Sequence, residues 1–457
     1  MVQEIRPTNL GIAVVGSGPA ALSAVRTWRE LDPHTQIDVI DIGREAGPAD
    51  AQNLVGVALK SYRGSAYPYD LNEFLPLDHV DMRPTVWPSA GFGGFSRVWG
   101  AALGQDPPLS SLFNPIETLN PMDPRSQLFT RSGLKMAETI QRKTREHSLG
   151  ELQPRIHHLA VDSSKCIKCG DCLTGCPTDA IWFAGQGWNS LENIKFVLGG
   201  PVTKIVESQD FVNLFIGTNP EPRPYSRVLI GCGPIGTAAL LMRSGLLPNE
   251  VEIQDSATVF IPLLRLPTFE NQNSFALSQF AFDVSRPPLH QIHIQYYPDS
   301  RKMVDRAMNF LPFGKLILKF LWRCISPFTC AAIAYLDSSD SDAIVLTMRS
   351  DGEFSLKPRR KPGSEENRAL ALKVIAQNLR KVGLVCLSKL SKFGAPGEGY
   401  HFGAVEGLDY LGGKSLVPGT SRVHVIDGSG LATIGAGPIT DSIVLRAEEI
   451  VREILND

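Results

Sequence analysis

Residues 11–21 read GIAVVGSGPAA, and residues 22–41 continue LSAVRTWRELDPHTQIDVID. The apolar run at 11–15 predicts a buried parallel strand. The glycine turn at 16–21 leads into a helix over 22–31, and 36–40 reads as a second strand ending in Asp41. Strand, glycine turn, helix, strand and acid in that order form a dinucleotide-binding βαβ unit. Gly16 allows the tight turn. Gly18 lets the backbone approach a pyrophosphate at the helix N-terminus, with Pro19 and Ala20 beside it. Ala21 stands where a third glycine usually sits. Asp41 is placed to accept hydrogen bonds from a ribose diol. The plainer alternative is a glycine turn in an α/β fold that holds no nucleotide.

The chain around this unit has 457 residues, room for two or three domains with real cores. Hydrophobic residues make up 43% and charged residues 20%, an ordinary globular balance. A net charge of -2 gives no global footprint for nucleic acid or for an acidic membrane surface. Residues 1–10 carry no apolar h-region, so the expectation is a cytoplasmic chain whose cysteines stay reduced. No run of about 18 apolar residues appears, so no spanning helix is expected.

Half of the eight cysteines fall in residues 166–177, CIKCGDCLTGCP, at the spacing C-x2-C-x2-C-x3-C-P. Zinc sites usually use two C-x2-C pairs held a dozen or more residues apart. Cysteines this close suit a [4Fe–4S] cluster better, and the segment resembles the bacterial ferredoxin motif through Ile181. Cys166, Cys169 and Cys172 are three ligands on this reading. The fourth is Cys176 or a remote thiol, Cys232, Cys324, Cys330 or Cys386. None of the remote four is followed by proline, and each also reads as an apolar buried thiol.

Residues 47–88 are loop-rich and lead to GFGGFSRVWG at 91–100, where four glycines bring backbone close to something flat or charged. Residues 123–152 read as surface helix, and 196–206 with 211–217 as a hairpin. An apolar strand at 227–230 runs into GCGPIG at 231–236 and a helix at 237–244. This second turn has two readings. It is a separate NAD(P) site, with 251–254 as a strand tipped by Asp255, or it is the chain returning to the first sheet. Breaks at Gly245 and Pro248 favour the return. Strands at 274–284, 290–297 and 343–348 point to an antiparallel substrate domain. Within residues 310–335, Lys315, Lys319 and Arg323 share one helical face opposite an apolar one. Such a helix lies on a membrane or packs on a core with a solvated basic edge. Residues 351–366 read as loop and 369–387 as helix.

Four segments resemble signatures of the glucose–methanol–choline (GMC) oxidoreductases. They are GGFSRVWG at 93–100, GPIGTAALLMRSGLL at 233–247, YHFGA at 400–404 and VHVIDGSGLATIGAGPITDSIVLRAEEI at 423–450. The resemblance implies FAD as cofactor. Gly93, Gly94, Ser96, Trp99 and Gly100 would pass close to the flavin. Asp427 and Gly428 would contact its ribityl or pyrophosphate part. Pro438 and Ile439 would set a helix N-terminus against the isoalloxazine. His401 would be the base that takes a hydroxyl proton. The chain departs from the pattern at Ala238, where proline is common. It departs again at Gly437, where the family carries a second active-site His or Asn, and at Thr440 and Asp441, where the threonine comes one place early.

The expected fold is α/β, α+β overall. It has a Rossmann-like FAD-binding domain, an antiparallel-sheet substrate domain and a small ferredoxin-like iron–sulfur insertion. The expected divisions are 1–150, 191–260 and 401–457 for FAD, 151–190 for the insertion and 261–400 for substrate. The expected activity is oxidation of an alcohol group on a polyol, sugar or sugar-linked substrate. Electrons would leave through the cluster to an external carrier, a ferredoxin-like protein or a quinone. The alternatives are a ferredoxin-fed flavin reductase acting on a carbonyl or alkene, and a non-catalytic electron-transfer protein. No nucleic-acid partner is expected. The membrane's inner face is a candidate contact for 310–335.

Overall fold

The computed structural model describes residues 10–44, 61–62, 65–82, 86–104, 112–113, 117–118, 128, 130–156, 158–172, 176–266, 275–298, 324–408 and 415–456. Most of the basic stretch at 310–335, with Lys315, Lys319 and Arg323, lies outside them. No helix among the described residues is long and apolar enough to cross a membrane.

The quoted stretch forms the middle of a five-stranded parallel sheet. Its order is Ile194–Leu198, Ile37–Asp41, Ile12–Val15, Arg227–Ile230 and Val423–Val425. All four residues of Ile12–Val15 are buried, as a strand covered on both faces requires. Ile12 and Val14 pack with the helices Pro19–Leu31 and Thr440–Asn456, while Ala13 and Val15 pack with the helix Pro234–Arg243.

The second glycine turn therefore belongs to the same sheet. Arg227–Ile230 pairs in parallel with Ile12–Val15, and the turns following these two strands touch. Gly16 has φ +105, and a Cβ there would stand 2.3 Å from the Gly231 carbonyl oxygen, so only glycine fits. The rival reading, with 251–254 as an acid-tipped strand of a second nucleotide domain, is corrected. Glu250–Asp255 pairs antiparallel with Ala343–Met348, in a five-stranded sheet with Phe402–Val405, Phe354–Arg359 and Leu77–His79.

The hairpin expected at 196–217 is also corrected in part. Ile194–Leu198 joins the parallel sheet beside Ile37–Asp41, and the antiparallel ribbon begins only at Val202–Glu207, pairing with Val212–Ile216. Residues 351–366, expected as loop, contain the strand Phe354–Arg359 and the start of the helix Ser364–Lys381. Phe354 and Leu356 are buried and hold that strand to the sheet.

The third large sheet has seven strands. Thr258–Leu264, Thr329–Leu336, Gln291–Tyr297 and Phe280–Ser285 form its antiparallel centre. Ala371, Val374, Ile375 and Leu379 of the helix Ser364–Lys381 pack on it beside Val259 and Ile261. Two strands pair across the divisions expected from sequence: Gln153–Ile156 edges this sheet, and Glu250–Asp255 pairs with Ala343–Met348.

Candidate active site

One cavity of about 600 Å³ lies where the parallel sheet meets the antiparallel ones. Gly16, Gly18, Pro19 and Ala20 of the first turn line it, with Asp41, Gly94, Ser96, Trp99, Gly100, His401, Asp427, Gly428, Pro438 and Ile439. Gly93 sits just behind, where its N–H donates to Ser17 Oγ at 2.8 Å.

The helices Pro19–Leu31 and Pro234–Arg243 begin at Gly18 and Gly233 without a side-chain cap. Their first-turn amides are left for a ligand, and an anion suits them. Asp41 stands at the strand end beside the first turn. Burial pushes its carboxyl up to about 6, against hydrogen bonds from Ser17 and Gly43 and the charge of Arg97. This set fits a dinucleotide cofactor: uncapped helix ends for a pyrophosphate and a carboxylate for a ribose.

Asp427 works on the protein as well as on the cavity. Its Oδ2 accepts the Gly233 N–H at 2.8 Å and Thr237 Oγ1 at 2.6 Å, and its Oδ1 accepts the Ser429 N–H at 2.9 Å. Burial pushes the carboxyl up and those donors oppose it. Asp427 therefore fixes the second glycine turn to the end of Val423–Val425.

His401, half-buried, also lines the cavity. Its carbonyl accepts the Ser256 N–H at 3.0 Å, which ties it to the strand before. Its Nδ1 has no hydrogen-bond partner. Burial, then the nearby His293, lowers its pKa to about 4, against a hydrogen bond to the Gly437 backbone. The ring is therefore neutral at pH 7. A Cβ at Gly437 would meet nothing within 4 Å, so the place of the family's second active-site side chain is open space.

Sequence reasoning missed the wall around His401. Gln295, Tyr297, Ile333 and Tyr335 line the cavity. The Tyr335 ring lies 5.1 Å from that of His401, and Tyr297 donates to Gln295 Oε1 at 2.8 Å. Both pairs sit two apart on facing strands, with Gln295 opposite Ile333. The period of two was legible in the sequence. Which face met the cavity was not, because nearly all of Gln291–Tyr297 is buried.

The cysteine segment packs against the same nucleotide unit from outside. Lys168 and Gly170 adopt φ of 53 and 76, winding the loop tightly. Cys166, Cys172 and Cys176 pack on the core formed with the first and last helices. The other three thiols all act on Cys172, which burial pushes up to about 12. Burial also acts on Cys176, but hydrogen bonds from Thr178, Ala180 and Ile181 carry it below the usual thiol value. Among the described residues no three His, Cys, Asp or Glu groups could share one metal ion. The N–H groups aimed at Cys176 suit a cluster thiolate. The remote cysteines lie elsewhere: Cys232 in the cavity wall, Cys330 and Cys386 on the seven-stranded sheet, Cys324 exposed.

Fold and site thus define a redox class, with a dinucleotide cavity and a cysteine segment on one scaffold. A protein-family model for a 4Fe-4S binding domain matches residues 158–181. Among solved structures, the chain is similar to the crystal structure of pyridoxine 4-oxidase from Mesorbium loti. The TM-score is 0.57 at 12% identity, over 98% of this chain and 100% of that one. No sequence among the curated proteins matches. The chain therefore shares the fold of that oxidase and carries within it a segment matched as a 4Fe-4S binding domain, in line with the sequence resemblance.

Proposed function

We propose that the protein is an FAD-dependent oxidoreductase that oxidises an alcohol group of a neutral polyol, sugar or sugar-linked compound. Its [4Fe–4S] cluster would be held by Cys166, Cys169, Cys172 and Cys176 and would hand electrons to an external carrier. The observation that carries this reading is His401: a half-buried, neutral imidazole in the wall of the cavity that both glycine turns line. FAD bound there supplies a hydride acceptor.

The chain's own residues do the rest. The amides after Gly18 hold the pyrophosphate, and Asp41 holds the ribose. Asp427 keeps the second turn in place. His401 takes the hydroxyl proton, with Tyr335 packed beside it to exclude water. A ring with a pKa of about 4 is unprotonated at neutral pH, the form in which a base must start. The similarity to a structure whose title names it an oxidase supports oxidation as the direction.

The test is an anaerobic alcohol screen of the purified holoprotein, reading flavin and cluster absorbance together. Flavin bleaching by a neutral polyol is the expected result. Flavin that is bound but that no alcohol reduces would overturn the reading.

A further inference from the structure

The cavity and the cysteine segment are joined by a short line of bonds that the proposed activity does not by itself require. Trp99 stands in the cavity wall. Its indole Nε1–H donates to the main-chain carbonyl of Trp182 at 2.9 Å. Two residues back along the chain, the Ala180 N–H donates to Cys176 Sγ at 3.3 Å. The line runs from Cys176 Sγ to the Ala180 amide, through Ile181 to the Trp182 carbonyl, and across to the indole at the cavity.

Trp182 and Ala180 are buried, and the Trp99 and Trp182 rings lie 5.9 Å apart. Phe113 closes the cluster at 5.1 Å from Trp182 and 5.9 Å from Trp99. The main-chain donors to the neighbouring thiols lead elsewhere. Cys172 is served by Ala276, ahead of the seven-stranded sheet, and Cys166 by Lys168 within the loop.

We propose that Trp99 is the electron bridge between the two centres, with its N–H···O=C bond to Trp182 as the link that couples them. This rests on the reading that flavin and cluster are both bound. Each passage moves one electron, so the flavin is oxidised by one and the cluster reduced by one. An external one-electron acceptor reoxidises the cluster before the second electron follows. The flavin's protons leave to solvent in the cavity and do not travel this line.

The test uses holoprotein whose flavin and cluster contents have been measured by absorbance and by iron and sulfide assay. A light pulse with a sacrificial donor reduces the flavin, so no substrate is needed, and ferricyanide serves as final acceptor. The rate of cluster bleaching is read per flavin bound. Trp99→Phe keeps an aromatic ring and removes the N–H donor. It should lose the fast flavin-to-cluster phase, while dithionite still produces the full signal of the reduced cluster. If Trp99→Phe fails to retain flavin, replacing Trp99 by benzothienylalanine keeps the two-ring shape and removes only the N–H, and the same loss is expected. Trp182→Phe keeps the main-chain carbonyl and should retain the fast phase. A fast phase unchanged in the Trp99 variants would overturn the bridge alone, as would its loss in Trp182→Phe with Trp99 intact. A wild-type protein that lacks either cofactor overturns the functional reading first.

Discussion

Asp255 offers a direct check on the electrostatics behind the site. It closes the strand Glu250–Asp255, one residue before the amide that holds the His401 carbonyl. One carboxylate oxygen accepts the Gly397 N–H at 2.9 Å, and the other has no hydrogen-bond partner. Burial pushes the carboxyl from 3.8 up to about 7, with Gly397 and Arg368 opposing and Asp342 adding to the rise. A raised pKa means the folded chain binds the proton more tightly than the unfolded one, so stability falls as pH rises through this window. The cost is about 2 kcal/mol at pH 5 and about 4 kcal/mol at pH 8. Asp255→Asn keeps an oxygen for the Gly397 N–H and cannot ionise. Its amide carries a burial cost of about 1–3 kcal/mol that is the same at both pH values. The variant should therefore gain on the wild type by about 2–3 kcal/mol between pH 5 and pH 8. Urea unfolding at the two pH values reads this from the midpoints and slopes. Two curves that keep the same separation at both would refute the argument.

Three further perturbations test the site. His401→Gln should abolish alcohol-driven flavin reduction and leave dithionite reduction intact. In the wild type that rate should stay level from pH 8 down to 5 and fall only as the ring protonates near pH 4; a midpoint near 6.5 would sink the assignment. Asp427→Ala strands three donors, on Gly233, Thr237 and Ser429. It should cost about 3 kcal/mol and weaken flavin retention, read by thermal unfolding and absorbance. Cys176→Ser should lose most of the cluster iron while Cys232→Ser keeps it; the opposite pattern would make the remote thiol the fourth ligand.

Some of this architecture was plain in the residues. IAVV at 12–15 is apolar without a break, as a strand covered on both faces must be. EVEIQD at 250–255 carries its own signal. Val251, Ile253 and Asp255 are buried in alternation, the mark of a half-covered antiparallel strand and not of a second nucleotide unit. Phe354–Arg359 escaped because only Phe354 and Leu356 carry its apolar face and Pro358 follows them. The wall of Gln295, Tyr297 and Tyr335 is set by the register between strands forty residues apart. No local pattern encodes that pairing.

The cysteine loop changes meaning once its neighbours are known. A ferredoxin-like insertion is easily pictured as a module carried on a surface, but the contacts here are those of a wall. The Ala184 N–H donates to Ser96 Oγ at 3.0 Å, and Trp188 Nε1 donates to the Ser17 carbonyl at 2.8 Å, so the residues after the cysteines hold the first glycine turn and the 91–100 segment. Gly187 lies so close to the first helix that a Cβ would stand 2.4 Å from a Leu22 methyl. Cys172 meanwhile accepts from Ala276, ahead of the seven-stranded sheet. A segment wedged among three elements folds with them, and binding at four of its thiols stabilises what they touch. Loss of iron should then loosen the grip on the nucleotide turn. Under the proposed function the cluster would then be a structural partner of the flavin pocket as well as its electron outlet.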